Sequence, residues 1–239
     1  MRENCYFIEK DNIIDDIILL PKEETLHLSK VLRQRVGERV KCFYDGSDYF
    51  DCEILSIDKS SSKLKILGKS KCLANPQKYI TLFQGLPKLD KLEFITQKLT
   101  ELGISEITPF NSRFCIAKDN PNKMQRLNKI AISACKQSGR TQVLKINNTI
   151  NLSNIDFSKY DLVLFANEKE KLTKINQFSS QISKAKSIAY IVGSEGGFSD
   201  DEIEFLSGKS NSFSLGDRIL RTETASISIG AYISFVGEN

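Results

Sequence analysis

From Tyr79 onward the chain alternates between two hydrophobic periods, and this alternation constrains the fold more than any other feature. Tyr79-Ile80-Thr81-Leu82-Phe83 is a short run of β-branched and aromatic residues. Leu89, Leu92, Ile95, Leu99 and Leu102 then recur every three or four positions, one face of a helix that Gly103 closes. Ile104–Phe110 reads as a strand, Met124–Gln137 as a helix, Asp161–Ala166 and Ser187–Val192 as strands, and Glu223–Phe235 as a helix rich in small residues. Apolar strands separated by helices need cover on both faces of their sheet. The expected class is therefore α/β with a mostly parallel sheet. Ligands of such sheets bind beyond the carboxyl ends of the strands.

The first 72 residues follow a different pattern. Val40–Tyr44 leads into Asp45-Gly46, a hairpin-turn signal, and Tyr49–Ile57 and Lys63–Leu67 alternate apolar with polar. One helix is expected around Glu23–Arg35. This predicts a small β-rich domain over residues 1–72, a linker at Leu73–Gln77, and the α/β domain over residues 73–239.

The chain has 239 residues, enough to bury a sizeable core in either arrangement. No apolar run approaches the ~20 residues of a membrane helix. The start, MRENCYFIEKD, has no signal-peptide core, so a cytoplasmic protein without a membrane partner is expected. Six cysteines form no C-x-x-C pair and read as small buried hydrophobes. With His27 the one histidine, no metal site is expected. Charge is uneven: residues 73–150 hold 12 basic and 5 acidic side chains, whereas residues 151–239 hold 9 and 12. A basic middle suits either a polyanionic partner or a solvated lysine-rich face.

The stretch IVGSEGGFSDDE, residues 191–202, leaves a strand through glycines and enters a helix. Phosphate loops are built this way, but this one carries Glu195 and no lysine. Ser199 and Glu202 form a capping box, and Asp200 and Asp201 suit the helix N-terminus, so that end already has its own carboxylates. Gly193, Gly196 and Gly197 allow close backbone approach to a flat ligand, one that is neutral or positive near Glu195, or else simply make a tight turn. Two further strand exits accompany it: Phe165-Ala166-Asn167-Glu168, and Phe213–Ala225 with Gly216, Arg218 and Arg221. The three loops could surround one small ligand.

GSEGGFSDDE followed by SLGDRILRTETA resembles the cofactor-loop pair of the SPOUT methyltransferases, and most closely the RsmE family, which methylates a uracil ring nitrogen of small-subunit ribosomal RNA. The likeness runs the whole chain. His27–Arg33 resembles the family's HxxxVLR, Lys91–Gly103 its Q-K-x-T-E-L-G helix, and Gln137–Arg140 its Q-S-G-R. The resemblance implies a trefoil-knotted α/β domain, a PUA-like β-barrel that binds RNA, and a homodimer formed through the knotted domain. It also implies S-adenosylmethionine as cofactor, whose sulfonium and ammonium would suit an acidic loop. The cofactor would be held by Leu164, Ala166, Asn167, Glu168, Ile191, Gly193, Glu195, Gly196, Gly197, Leu215, Gly216, Ile219, Leu220, Thr222, Thr224 and Ala225. Arg218, Arg221 and Glu223 would carry the chemistry.

Phosphate contacts are expected from Lys30, Arg33, Arg35, Arg39 and Lys41 in the first domain and from Lys88, Lys91, Arg113, Lys118, Arg126 and Arg140 in the second, with His27 a further candidate for touching RNA. For Glu223 a dipole-complementing helix acid, and for Arg221 an ion pair with Glu223 or Asp217, are the structural readings. Two positions depart from the family: Ser194 stands where proline is usual, and Lys136 where an acid often stands. Ribose 2′-O methylation and a non-catalytic ribosome-assembly role are the alternatives, and intact glycines with RILRTETA weigh against the latter.

Overall fold

The computed structural model describes residues 4–117 and 123–238. They fall into two units. One runs to Asn75 and takes in Cys135–Val143; the other comprises Pro76–Ala134 and Leu144–Asn239. The boundary thus lies inside the expected linker, and a nine-residue segment from the expected second domain returns to the first unit.

In the first unit the strands are β1 (Cys5–Phe7), β2 (Ile13–Ile14), β3 (Ile17–Leu20), β4 (Arg39–Phe43), β5 (Tyr49–Ile57) and β6 (Ser62–Ser70). They pair in the order β1-β4-β5-β6-β3-β2, antiparallel except for β1 with β4. Among the described residues β1 and β2 are not paired with each other, so hydrogen bonding does not close a complete barrel. Alternation along β5 buries Phe50, Cys52 and Ile54 against Tyr6, Ile18, Val40 and Leu64. Each such large apolar side chain contributes about 1.5–3 kcal/mol. The helix α1 (Lys22–Leu26) continues as a π-helical turn to Val31, short of the expected Arg35. It stops because Arg33 takes a left-handed φ of 52°, which no helix continues.

The returning segment is tied in by its backbone. Tyr49 donates its hydroxyl to Gly139 O, Thr141 N donates to Asn75 Oδ1 at 2.9 Å, and Val143 N to Asp45 Oδ1 at 2.8 Å.

The second unit is a parallel sheet. Its strands are β7 (Tyr79–Gly85), β8 (Glu106–Asn111), β9 (Lys145–Ile146), β10 (Ile150–Asn151), β11 (Leu162–Ala166), β12 (Ser187–Val192) and β13 (Asn211–Phe213). Their order is β10-β8-β7-β12-β11-β13, with β9 beside β8, and every pairing is parallel. Strands β7, β8, β11 and β12 are buried almost end to end, as a sheet covered on both faces requires. The helices are α2 (Leu89–Glu101), α3 (Lys123–Ser138, whose residues from Cys135 onward belong to the first unit), α4 (Ser179–Lys184), α5 (Asp200–Ser207) and α6 (Thr222–Glu238).

Helix α2 buries Leu92, Ile95, Thr96, Leu99 and Thr100, and packs against α6. The small residues of α6 serve that packing. A side chain at Gly230 would come within 2.8 Å of both Leu99 Cδ2 and Tyr190 Oη. Gly230 and fully buried Ser226 thus serve the unit's own core. No helix among the described residues is long and apolar enough to cross a membrane.

Candidate functional site: a pocket where three strands end

β11, β12 and β13 end side by side, and the loops that leave them enclose a pocket of about 370 Å³, within the range of small-molecule sites. Ala166, Asn167 and Glu168 line it from the first loop, Gly193, Glu195 and Gly197 from the second, and Leu215, Gly216, Ile219, Leu220, Thr222 and Ala225 from the third. Arg218 and Arg221, expected to carry chemistry, line it too. The convergence expected from three separate stretches of sequence is therefore present in one cavity.

Four expected cofactor residues do not line it. Leu164 and Ile191 are fully buried in their strands, beneath the loops. Thr224 is exposed on the first turn of α6. Gly196 faces Phe114: an added Cβ would lie 2.6 Å from Phe114 Cβ and 2.9 Å from its carbonyl oxygen. The close approach of Phe114 by itself requires glycine there. Residues not anticipated as lining include Lys171, Val192, Ser194, Phe198, Ile203, Phe213, Ser214 and Asp217. Several adjoin the recognised motifs, so proximity in sequence was the available signal.

The floor of the site is a buried polar network. Gln84, at the end of β7, donates through Nε2 to Gly193 O at 3.1 Å, Thr222 Oγ1 at 2.9 Å and Gly85 O at 3.0 Å. Thr222 Oγ1 donates to Gly193 O at 2.6 Å, and Ser226 Oγ donates to Gln84 Oε1. Three elements thus share one set of hydrogen bonds, and Gln84 is fully buried. A buried amide with every partner in place rigidifies what it joins. The approach is so close that a side chain at Gly85 would overlap Ser194 N and come within 2.8 Å of Gly193 C. Ser194, which replaces the family's proline, is buried, and its carbonyl accepts from Gly197 N at 3.1 Å, closing the loop without a ring.

Lys91, expected to contact RNA phosphates, lines the pocket. Its ammonium lies 3.2 Å from Glu195 Oε1 and 3.5 Å from Glu223 Oε2. Lys88 N also donates to Glu195 Oε1, at 3.3 Å. Partial burial works against both charges. The backbone donors of Glu195 and Lys88, with Lys91, more than offset it for Glu195, whose pKa stands below its ordinary value. For Lys91, Glu195 and then Glu223 do the same, and its pKa stands above its ordinary value. The Arg221 ion pairs with Glu223 or Asp217 are not formed; Lys91 takes the Glu223 partnership. The helix after the glycine loop is capped by its own groups, Ser199 N donating to Glu202 Oε2 at 2.9 Å and Glu202 N to Ser199 Oγ at 3.4 Å, while Arg113 N donates to Glu202 Oε1 at 2.8 Å. A phosphate at that terminus would meet the carboxylates of Asp200, Asp201 and Glu202.

The remaining expected RNA contacts divide. Lys30, Arg33, Arg35, Arg39 and Lys88 are exposed. His27 is half-buried with its ring edge-on to Tyr6. Lys41 pairs with Asp51 at 3.6 Å, Arg126 with Glu93 at 2.6 Å, and exposed Arg113 lies 3.9 Å from Asp201. Lys118 lies outside the described residues. Arg140 must be corrected: it is 1% exposed, burial lowers its pKa, and it offers no surface to a nucleic acid. Lys136 makes an ion pair of 2.7 Å with Glu24, both largely buried, so the departure from the family acid is matched by a complementary charge.

The parallel α/β unit with its pocket at three strand ends and the unit of mainly antiparallel strands are each covered by a family match. Residues 74–234 match the RNA methyltransferase domain, and residues 20–67 the RNA methyltransferase PUA domain. The chain belongs to the ribosomal RNA small subunit methyltransferase E family. It is 32% identical to the protein of that name from Rickettsia conorii, over 100% of this chain and 98% of that one. With its counterpart from Bacillus subtilis it shares 33% identity over 90% of this chain and 89% of the other. Among solved structures, the Neisseria gonorrhoeae ribosomal RNA small subunit methyltransferase E bound to S-adenosyl methionine superposes with a TM-score of 0.84, at 28% identity and 98% coverage of each chain.

Proposed function

We propose that this chain is an S-adenosylmethionine-dependent methyltransferase that forms 3-methyluridine in the 16S RNA of the small ribosomal subunit. The observation that carries this reading is the meeting of the three strand-end loops with Arg218 and Arg221 around one pocket, with Glu223 tied to its rim through Lys91. The names of the relatives, and the Neisseria structure with its bound S-adenosyl methionine, support the cofactor and the substrate class.

The lining fits such a cofactor. Phe213, Leu215, Leu220 and Val192 offer apolar surface for a purine, and Glu168, Glu195 and Asp217 favour a cationic end. When bound, the cofactor supplies an electrophilic methyl group to the attacking nitrogen, and its sulfur keeps the electron pair of the broken bond. The protein's task is the nitrogen. The uracil N3 proton lies on the pairing edge, so the base must be unpaired or flipped to enter. Glu223 accepts that proton or orients an arginine. Arg218 and Arg221 stabilise the charge that spreads onto the two carbonyl oxygens, a contribution comparable to the 10²–10⁴-fold typical of general-base help.

Lys30, Arg33, Arg35 and Lys88 position the RNA through its phosphates, with His27 beside them. In the same reading the C-terminal segment threads a loop to make a trefoil knot, one of the rare exceptions to unthreaded chains, and two copies associate through the knotted unit.

Nucleoside mass spectrometry of small ribosomal subunits lacking this modification, after incubation with the protein and cofactor, tests the reading. New 3-methyluridine in 16S RNA is expected. A 2′-O-methylated nucleoside, or no methylated product from folded protein, would refute it.

A further inference from the structure

Lys91, Glu195 and Glu223 come from three separate elements: the first turn of α2, the glycine loop after β12, and the first turn of α6. One ammonium serves two carboxylates, at 3.2 Å and 3.5 Å. Glu223 Oε2 is buried and accepts no hydrogen bond, so its charge rests on Lys91. A buried carboxylate oxygen without a donor is held at a cost unless a cation stands by it. The start of α2 also holds Glu195 through Lys88 N, which fixes the loop that lines the pocket.

The trio sums to one net negative charge. Without Lys91 it would hold two carboxylates close together with nothing between them. With Lys91 the repulsion is relieved while a residual negative charge still faces the cavity. A solvated surface lysine would need neither partner, and a lysine reserved for RNA phosphate would not have its charge spent on two acids.

We infer that Lys91 is a positioning residue of the methyl-transfer site, holding the Glu223 carboxylate in place and offsetting the charge of Glu195 in the cofactor loop. This rests on the methyltransferase reading above, and its test separates the two. The wild-type protein must bind and use S-adenosylmethionine for that reading to stand. Lys91 is then judged by its variants.

In Lys91→Met, calorimetry should find cofactor affinity kept or raised by up to about tenfold, because two uncompensated carboxylates attract a cation more strongly. The kcat for RNA methylation should fall about 100-fold with KM for RNA changed less than about threefold. Lys91→Arg should recover most of kcat. The double variant Lys91→Met with Glu195→Gln should return cofactor affinity to near the wild-type value while kcat stays low. Should Lys91→Met fold poorly, Lys91→Gln and the double variant carry the same comparison.

Raised KM for RNA with kcat retained, and a shallower salt dependence of RNA binding, would make Lys91 a phosphate contact and overturn the inference. Parallel loss of thermal stability, cofactor affinity and kcat, unrelieved by arginine, would make it merely structural and overturn it equally.

Discussion

Gln84 Nε2 lies 3.1 Å from Gly193 O and 2.9 Å from Thr222 Oγ1, so one buried amide joins the end of β7, the glycine loop and the start of α6. Gln84→Leu keeps the volume and removes every one of these bonds. Stranding the buried partners should lower unfolding free energy by about 1–3 kcal/mol. Urea denaturation measures this, and an unchanged midpoint would show that the network is dispensable.

Gly196 abuts Phe114 rather than the cavity. Gly196→Ala should therefore already displace the loop, lowering cofactor affinity about tenfold, or about 1.4 kcal/mol. Calorimetry decides it: affinity equal to wild type would mean that Phe114 yields freely.

Arg221 is exposed at the pocket and makes no ion pair with Glu223, which Lys91 takes. Arg221→Ala should reduce methyl transfer by about 10²–10³-fold, the scale of a lost charge-stabilising donor. Cofactor affinity should stay within about threefold. Equal losses in both would assign Arg221 to the cofactor.

The Lys91–Glu195 pair has a pH signature. The Glu195 carboxyl is held below its ordinary value of 4.5, opposed by partial burial and favoured by the backbone donors and Lys91. Its contribution is full above 4.5 and is lost as pH falls through the folded value. The Lys91 ammonium stands above its ordinary 10.5, so its contribution is full below 10.5 and is lost as pH rises through its own folded value. The bridge therefore spans the neutral range. Carbon-detected NMR should place the Glu195 midpoint below 4.5 and move it upward in Lys91→Met; a wild-type midpoint above 4.5 contradicts the geometry.

Lys136 and Glu24 are 17% and 14% exposed. Removing one partner of a fully buried pair costs about 3–5 kcal/mol, and residual solvent lowers the figure for Lys136→Met to about 1–3 kcal/mol. Exchanging the charges, Glu24→Lys with Lys136→Glu, should recover most of that loss in a denaturant titration.

The long strands and helices were legible because burial imposes period. β5 runs over the residues its alternation marked, and α2 buries the face its leucines and Ile95 drew. Short elements carry too few residues for a period, and β9, β10 and α4 were missed for that reason. Loop chemistry located the pocket, but the partners of charged side chains are tertiary facts. Nothing local distinguishes Lys91, bound to two acids, from exposed Lys88. Arg140 reads as a surface cation in the sequence, yet it is buried in the segment Cys135–Val143 that belongs to the first unit. Gln84 left a faint sign, a polar side chain within an otherwise apolar run.

Calorimetric titration of the purified protein with S-adenosylmethionine and, separately, with ATP tests the central claim most directly. We predict one cofactor site per chain at roughly micromolar affinity, abolished by closing the loops at Gly193 or Gly197, and no competing binding of ATP. Tight ATP binding that displaces S-adenosylmethionine, or no heat from the methyl donor, would contradict the account.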